Sequence, residues 1–488
     1  MTSILVEGET CWRKARADRF SVIVDAGAFF RLAKSAMLKA KRSIILIGWD
    51  FDTRIELTPD SKDDEHPDKL GRFFEHLARR NRELDIRILK WDFGLISSIT
   101  RGETPVHMLR WMFSKQIHLK LDRAHPPMAA HHMKLLIIDD NVAFCGGIDM
   151  TVGRWDTRDH LEDDPNRRSP FGGQEPPWHD ATTCLSGPAA AALAELARDR
   201  WEMATGERLP PAAVEGDPWP DDLEAEFSDV EIGVSRTSPK YKDREEVVEI
   251  ETATLAIIAS VKKSLYIESQ YFASRRIAEA MATRLEEPDG PEIVIVNPKS
   301  ASGWLEEKTM DTARSRLRDL VEKADRHKRF RLLYPVNDRG TAIYVHAKIM
   351  IADDRILKLG SANLNNRSMG YDTECDVLLQ AGEDEQVLRE TILRQRNDLL
   401  AEHLGRPLEA VEEALARNDG SMTKTIDTLN QPDQHRGLKP VEHRPLGIDD
   451  EWVAESDLVD PERPSGVRYR TSQFLRNKFG RRMFARHA

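Results

Sequence analysis

Hydrophobic residues follow the same order twice along the chain, first with helical and then with strand spacing. In residues 27–43, GAFFRLAKSAMLKAKRS, apolar side chains recur every three or four positions, which predicts a helix, and the apolar run IILIG follows. Residues 247–264 and the strand-like LYIES after them repeat this order about 220 residues later. Each unit then reaches a second run rich in β-branched residues, at 84–91 and 291–298. Helices alternating with strands predict an α/β sheet in each half.

Breaks in this pattern give the predicted domain boundaries. Residues 207–222 are rich in proline and acidic side chains and lack apolar periodicity, so they are interpreted as a linker. The first half then covers residues 10–206 and the second half residues 223–400. Residues 401–488 are interpreted as a C-terminal extension with too few apolar residues for a core of its own. Residues 159–177, within the first half, predict a long irregular loop.

Composition narrows the class of protein. The chain has 488 residues and a formal net charge of −11, from 72 Lys and Arg against 83 Asp and Glu. Such an acidic chain argues against an extended surface for binding nucleic acid, and we expect no nucleic-acid partner. No apolar run approaches the ~20 residues needed to span a bilayer. The N-terminus shows no classical secretory signal, so a cytoplasmic location is expected, with peripheral membrane contact and non-classical export left open.

One short motif occurs once in each half with identical spacing. It reads H-x-K-x4-D, and a single copy would arise by chance about 0.06 times in a chain of this composition. Its residues are His132, Lys134 and Asp139 in the first copy and His346, Lys348 and Asp353 in the second. After six intervening residues, each aspartate is followed by GGID or GSAN, so the matched spacing extends over eighteen positions and chance is excluded.

The spacing of the motif places its histidine and lysine together. LLII and IMIA, which follow the two lysines, have the pattern of buried strands, and in a strand residues i and i+2 point to the same face. Pairing of the halves about a pseudo-twofold axis would bring two imidazoles and two ammonium groups into one pocket. Such a pocket fits a phosphate diester, because the lysines neutralise nonbridging oxygens while one imidazole attacks phosphorus and the other protonates the leaving alcohol.

The duplicated motif resembles the signature of the phospholipase D superfamily, and the resemblance covers about residues 10–400. The segments GGIDMTVGRWDT, PWHD and IESQYF are similar to phospholipase D proper. We therefore expect an α/β fold with two similar halves, each a mixed sheet flanked by helices. The halves should pair about a pseudo-twofold axis, with one active site between them.

The resemblance implies a role for the histidines and lysines of both copies. His132 would be the nucleophile that forms a phosphohistidine, and His346 would be the general acid and base. Lys134 and Lys348, together with Asn363, would hold the phosphate.

Three carboxylates and a serine complete the expected site. In the family a carboxylate orients each catalytic histidine, and the resemblance gives this role to Glu374 in the second half and Asp156 in the first. Ser361 is grouped with these substrate-binding or orienting residues. Asp149 occupies in the first half the position of Asn363. Because a carboxylate would repel phosphate, Asp149 is expected to bond protein groups.

Other polar residues near the motifs receive structural interpretations. Asp139 and Asp353 are counted with the catalytic motif, but we expect them to organise strand ends rather than touch substrate. No cofactor or metal is expected, because no HExxH or paired-cysteine spacing occurs. His131, His160 and His179 are accordingly interpreted as structural residues.

The leading functional hypothesis is hydrolysis of a glycerophospholipid, phosphatidylcholine being the expected substrate, to phosphatidate and a free head-group alcohol. A phosphohistidine intermediate also permits transphosphatidylation when an alcohol replaces water. A cardiolipin synthase-like phosphatidyltransferase is the first alternative, and a nuclease of the same superfamily is a weaker one. A non-catalytic lipid-binding module is disfavoured, because both copies of the motif are intact.

The expected partner is a phospholipid surface, and the end of the chain offers a second contact to it. Residues 467–488 contain seven Lys or Arg and no acid, interleaved with four aromatic residues. This mixture is typical of an interfacial helix on anionic lipid, and a solvated tail is the alternative. The oligomeric state is left open.

Overall fold

The structure is a computed structural model. It describes residues 3–61, 65–92, 107, 110, 111, 113–213, 216–301, 304–430 and 435–442. The elements of the first half are β1 (Arg13–Val24), α1 (Ala26–Leu38), β2 (Ser43–Gly48), α2 (Leu70–Arg80), β3 (Asp85–Trp91), β4 (Ile117–Asp122), β5 (Leu135–Ile138), β6 (Val142–Gly146), β7 (Trp178–His179), β8 (Ala181–Ser186) and α3 (Pro188–Thr205).

The later part of the chain repeats this alternation of strands and helices and then adds a short helical segment. Its elements are β9 (Phe227–Ser238), β10 (Val247–Val248), α4 (Glu249–Ser260), β11 (Ser264–Glu268), α5 (Arg275–Glu286), β12 (Glu292–Val296), α6 (Trp304–Ala324), β13 (Phe330–Val336), β14 (Tyr344–Val345), β15 (Ile349–Ala352), β16 (Ile356–Gly360), α7 (Asn366–Gly370), β17 (Glu374–Gln380), α8 (Gln386–Leu404), α9 (Leu408–Arg417), α10 (Met422–Leu429) and β18 (Gly437–Pro440).

Both halves contribute to one mixed sheet, which has sixteen strands within the described ranges. Its order is β18-β13-β12-β11-β15-β16-β17-β9-β1-β8-β6-β5-β2-β3-β4, with β10 added to β9. The halves join through the antiparallel pair β1 and β9. Outward from that pair, the order β1-β8-β6-β5-β2-β3-β4 is matched by β9-β17-β16-β15-β11-β12-β13. The predicted α/β fold of two similar halves is confirmed, and the two predicted sheets are joined edge to edge.

Apolar side chains explain both the elements and their packing. Helix α1 buries Phe30, Ala33 and Met37, three of the positions that predict it. Strands β5 and β15 are buried at every position, because central strands of this sheet are covered on both faces. One apolar cluster spans both halves, and within it the sulfurs of Cys145 and Cys375 lie 3.7 Å apart. The motif strands therefore approach each other through a shared core.

The predicted boundary at residue 400 does not match the structure. Helix α8 runs through it to Leu404, and Val411 and Met422 of the next two helices enter the core that both halves share. Strand β18 pairs antiparallel with β13. The apolar residues here are few, as the sequence indicates, but they complete an existing core rather than form a separate one. The basic segment 467–488 lies outside the described residues.

The predicted linker and the long loop of the first half remain without helices or regular strands where the structure describes them. The described part of residues 207–222 packs on the first half, where Trp219 is buried and the Ala212 amide donates to Asp140. Residues 159–177 form turns and one isolated bridge. Among the described residues, no helix is both long and apolar enough to cross a bilayer.

Candidate active site

Each H-x-K segment forms backbone hydrogen bonds with the opposite half. The His132 amide donates to the carbonyl of Thr373 at 2.9 Å, and the His346 amide donates to the carbonyl of His179 at 2.8 Å. Strands β7 and β14 pair in parallel next to His346, and an isolated bridge between His131 and Thr373 is the equivalent contact next to His132. These crossed pairings place both histidines between the halves, in a pseudo-twofold arrangement.

His132 is oriented by a carboxylate from the second half. Its Nδ1 lies 3.0 Å from both oxygens of Glu374. The hydroxyl groups of Ser361 and Ser368 donate to the same carboxylate, at 2.5 and 2.7 Å. Glu374 thus contacts a histidine of the duplicated motif, but this histidine, His132, belongs to the other half. Ser361 acts on this carboxylate, so its place is among the orienting residues.

His346 has the equivalent contact with Asp180, which sequence reasoning missed. The distance from His346 Nδ1 to Asp180 Oδ2 is 2.7 Å, and the other carboxylate oxygen accepts the Ala181 amide at 2.8 Å. Gly147 occupies the position equivalent to Ser361, and a Cβ atom there would overlap Asp180. The first half therefore combines an aspartate with a glycine, whereas the second half combines a glutamate, which has a longer side chain, with a serine.

The prediction that Asp156 orients a catalytic histidine is corrected by these contacts. Asp156 accepts from Arg167 at 2.8 Å and lies 3.0 Å from His160 Nδ1. The physical reason is the long loop of residues 159–177, which separates the first motif from Asp180, the carboxylate that this half supplies to His346. A signal was present: Asp180 ends the PWHD segment immediately before β8, as Glu374 begins the equivalent strand β17.

The two lysines are buried and have unequal surroundings. Lys134 donates to the carbonyl of His132 at 2.7 Å and lies 3.3 Å from a carboxylate oxygen of Asp149. Asp149 also accepts the amide of Trp49 at 2.9 Å, so it bonds protein groups. Lys348 donates to the carbonyl of His346, and the residue equivalent to Asp149 is the neutral Asn363, whose side-chain oxygen is buried without a hydrogen bond. The positive charge of Lys348 is therefore less neutralised by this position than the positive charge of Lys134.

Burial and the lysines keep both imidazoles neutral near neutral pH. The pKa of His132 lies well below its usual value because of burial and then repulsion by Lys134 and Lys348, and the pKa of His346 is lowered by burial and Lys348. Burial also lowers the pKa of Lys348 to about 7 and raises the pKa of Glu374 to about 7. Because each Nδ1 faces a carboxylate, we place the proton there, which leaves Nε2 with a lone pair.

The motif aspartates lie at the far ends of their strands, away from the histidines. Each accepts three backbone amides at 2.7 to 2.9 Å. The donors are Lys41, Arg42 and Ser43 for Asp139, and Lys262, Lys263 and Ser264 for Asp353. Both aspartates have a positive φ near 50°, at 51° and 52°, which suits a tight turn. The prediction that counts these two aspartates as catalytic is therefore corrected. The expectation that they organise the ends of strands agrees with these contacts.

An aromatic wall and a further cation lie beside His346. The rings of Trp178 and Tyr344 stack with centroids 4.6 Å apart, and Trp178 lies 5.2 Å from the His346 ring. The Arg154 guanidinium lies 4.2 Å from the Trp178 centroid. Arg154 and Trp178 come from the GRWD and PWHD segments, so sequence similarity singled out their segments but not their contact.

The geometry combines two neutral imidazoles, each held by a carboxylate, with two buried lysines. A family model described as "Phospholipase D" matches residues 36–280, and one described as "Cardiolipin synthase, PLD-like domain" matches residues 254–395. The chain belongs to the phospholipase D superfamily.

Curated relatives agree with membership of this superfamily, and a solved structure is similar in fold. The chain is 24% identical over 423 residues to phospholipase D A of Dictyostelium discoideum, which covers 73% of this chain but 32% of that protein. It is 22% identical over 580 residues to phospholipase D delta of Arabidopsis thaliana, covering 83% of this chain and 66% of that protein. The chain thus spans about a third to two thirds of the length of these two relatives. In fold it is similar to phosphatidylserine synthase of Haemophilus influenzae Rd KW20, with a TM-score of 0.55 at 14% identity, covering 86% of this chain and 97% of that one.

Proposed function

We propose that this member of the phospholipase D superfamily hydrolyses glycerophospholipids to phosphatidate and a head-group alcohol. The observation that carries the proposal is the crossed pair of histidine–carboxylate contacts, His132 with Glu374 and His346 with Asp180, beside two buried lysines. This arrangement offers an uncharged nucleophile, an acid and base, and cations for a phosphate diester. The names of the Dictyostelium and Arabidopsis relatives support the same reaction.

In the first step of the proposed reaction, Nε2 of His132 attacks phosphorus and the bond to the head-group oxygen breaks. His132 is the better placed nucleophile, because its side chain is 16% exposed against 6% for His346. His346 must carry a proton to release the alcohol. The bound phosphate adds negative charge beside His346 and Lys348, which favours protonation of the imidazole. Lys134 and Lys348 stabilise the charge that develops on the nonbridging oxygens.

In the second step His346 takes a proton from water, and the resulting hydroxide attacks phosphorus while the bond to His132 breaks. The products are phosphatidate and free imidazole. An alcohol in place of water gives a new phosphodiester by the same transfer. The stacked Trp178 and Tyr344 lie beside His346, where a head group would lie, and phosphatidylcholine is the substrate that we propose.

A cardiolipin synthase-like phosphatidyltransferase is the second candidate. It is supported by the match of residues 254–395 to a family model with that description. The two candidates differ in the phospholipid that forms the phosphohistidine and in the acceptor that then reaches it. Vesicles of labelled phosphatidylcholine or phosphatidylglycerol, each with and without ethanol, separate them. Phosphatidate and phosphatidylethanol from phosphatidylcholine support the hydrolase, whereas cardiolipin from phosphatidylglycerol supports the transferase.

Trapping the intermediate tests the roles of the histidines. The His346→Ala variant should accumulate phosphohistidine at His132 when given a phosphodiester with an activated leaving group, because such a group departs without an acid. The His132→Ala variant should give no adduct, and His118→Ala, at a partly exposed position outside the site, should behave as wild type. Adduct on both histidines, or full activity without adduct, would overturn the proposal. Cleavage of DNA or RNA in place of lipid would favour the nuclease.

Membrane contact through residues 467–488 is part of the proposal. Its support is the composition of that segment, with seven basic residues and no acid. A chain ending at residue 466 should sediment less with anionic liposomes at low salt than the full chain, and about equally with neutral liposomes. Equal sedimentation of both chains with anionic liposomes would contradict the contact.

A further inference from the structure

A second cluster of titratable side chains lies behind His346, outside the histidine pair. It consists of Asp25, His160, His179 and Glu402, and one donor atom from each lies within 4.8 Å of all the others. These side chains are 0 or 1% exposed. They come from the turn after β1, the long loop, β7 and helix α8, so no local sequence motif indicates that they lie together.

The separations between the donor atoms match a tetrahedral metal centre. His160 Nε2 lies 3.6 Å from Asp25 Oδ2 and 3.1 Å from Glu402 Oε1. His179 Nδ1 lies 3.4 Å from Asp25 Oδ1 and 2.8 Å from Glu402 Oε1. Zinc bonds of about 2.0–2.1 Å to nitrogen and oxygen require tetrahedral edges of about 3.3 Å. Three of these distances, 2.8, 3.1 and 3.6 Å, join one donor atom from each side chain and lie on both sides of that length, so an ion fits with small shifts of the side chains. The distance of 3.4 Å involves the other oxygen of Asp25.

Both imidazoles are held from behind in the manner of metal ligands. His160 Nδ1 contacts Asp156 Oδ2 at 3.0 Å, which leaves Nε2 facing the cluster. His179 Nε2 contacts Glu268 Oε2 at 2.8 Å, which leaves Nδ1 facing it. Carboxylates on the far nitrogen fix the tautomer and orientation of metal-binding histidines. This arrangement explains why Asp156 is occupied away from the catalytic pair.

The carboxylates are likewise fixed through their outer atoms. Glu402 Oε2 accepts from Arg158 Nε at 2.6 Å, and Asp25 Oδ1 accepts the amide of Asp180 at 3.1 Å. Asp25 Oδ2, directed at the cluster, is buried and accepts no hydrogen bond. His179 Nδ1 also makes no hydrogen bond of acceptable geometry, despite its closeness to Glu402. A buried carboxylate oxygen without a donor is costly, and a bound cation would satisfy it.

We propose that Asp25, His160, His179 and Glu402 bind one divalent transition-metal ion, for which zinc fits best in size and ligand preference. Two carboxylates and two neutral imidazoles balance the charge of such an ion. The ion joins the first half to helix α8 and fixes Asp25, whose carboxylate holds the backbone of Asp180. Its function is to position the Asp180–His346 pair. It does not touch substrate.

The metal content of the purified full chain tests this proposal. After gel filtration in chelator-treated buffer with prior addition of zinc, elemental analysis should find about one zinc per chain. Cobalt in its place should give the intense visible absorption of a tetrahedral centre. The wild type should melt at a lower temperature in the presence of a chelator and recover when zinc is restored, because the ion binds only the folded state.

Matched variants locate the ion. Asp25→Asn and His160→Gln should lose the bound zinc, and Glu268→Gln should weaken zinc binding about ten- to a hundredfold. His118→Gln, the same type of change at a position outside the cluster, should keep the full zinc content. Wild type without zinc, cobalt absorption or a chelator effect on melting would overturn the proposal, and protons on the two imidazoles would then balance the carboxylates. That result needs no variant, so misfolding of a variant cannot obscure it.

A readout in the reaction separates positioning from simple stabilisation. Removal of zinc should lower kcat for a lipid substrate more than for an activated phosphodiester, because His346 acts on the poor leaving group. An equal loss with both substrates would contradict the positioning role.

Discussion

The two halves share one strand order but not one chemistry. In the first half a carboxylate, Asp149, lies 3.3 Å from its lysine, whereas the second half has the neutral Asn363 at the equivalent position. The two halves therefore share a backbone arrangement, and a few side chains make their phosphate-facing surroundings unequal. The comparison teaches that the phosphate should lie closer to the lysine of the second half, and that the two histidines need not exchange roles.

The largest expected effect concerns the histidines. We expect His132→Ala to lower kcat for lipid by about four orders of magnitude or more, and His346→Ala to lower it about as much. With an activated phosphodiester, His346→Ala should recover a burst of released leaving group, whereas His132→Ala should not. Stopped-flow measurement of the burst decides this. Recovery in His132→Ala alone would reverse the roles of the halves.

The carboxylates give the next largest effect and test the crossing between halves. Glu374→Gln should reproduce the behaviour of His132→Ala in milder form, with kcat reduced about 10²- to 10⁴-fold for both kinds of substrate. Asp180→Asn should instead resemble His346→Ala and retain activity on the activated phosphodiester. Steady-state kinetics on the two substrates measures both variants. If each carboxylate variant matched the histidine of its own half, the crossed pairing would be wrong.

Exchange of the unequal residues should have an intermediate effect. Asn363→Asp introduces a carboxylate beside the phosphate position, and we expect kcat/KM to fall about tenfold to a hundredfold through charge repulsion. Asp149→Asn removes the partner of Lys134 without adding repulsion, so the loss should be smaller. Kinetics of both variants against wild type checks the order. A larger loss in Asp149→Asn would place the phosphate nearer the first half.

The pH profile should report the lysine of the second half. Burial lowers the pKa of Lys348 to about 7, so this lysine loses its proton as the pH rises through that value. Because the charged form binds the anionic substrate, kcat/KM should decline above about pH 7, and kcat less so, since bound phosphate favours the charged form. Lys348→Arg should move the decline to higher pH. An unchanged profile in this variant would assign the decline to another group.

Substitution of the motif aspartates should have the smallest effect on catalysis, and the effect should be the same in the two halves. Asp139→Ala and Asp353→Ala each remove three backbone hydrogen bonds and should lower the free energy of unfolding by about 2 kcal/mol or more. Their kcat per folded molecule should remain close to wild type. Denaturant titration and active-site titration together measure this. A selective loss of kcat in one variant would return that aspartate to the catalytic group.

Part of the site followed from sequence, and one carboxylate shows why the rest did not. The H-x-K spacing predicts histidine and lysine on one face of each segment, because that relation depends only on the pleat of an extended chain. Asp180 was missed since a loop of irregular composition separates it from its motif. Glu374 was found, yet its histidine partner was not, because that partner lies 242 positions away.

The helix that spans the predicted boundary at residue 400 illustrates a related point. The composition of the C-terminal segment reports whether it can form a core of its own. Leu404, Val411 and Met422 instead enter a core that other residues had already defined. Glu402, placed in that segment, faces Asp25 near the other end of the chain. A segment's local composition does not report such shared burial.

Periodicity and spacing act over a few residues, and they were enough to predict the duplication, the buried strands of each half and the chemical groups of the motif. The pairing of carboxylates with histidines, the junction of the halves and the members of the buried cluster depend on long-range packing. The contacts between His132 and Glu374 and between His346 and Asp180 join residues 242 and 166 positions apart. Such contacts depend on how two half-sheets pack, and no local pattern encodes that packing.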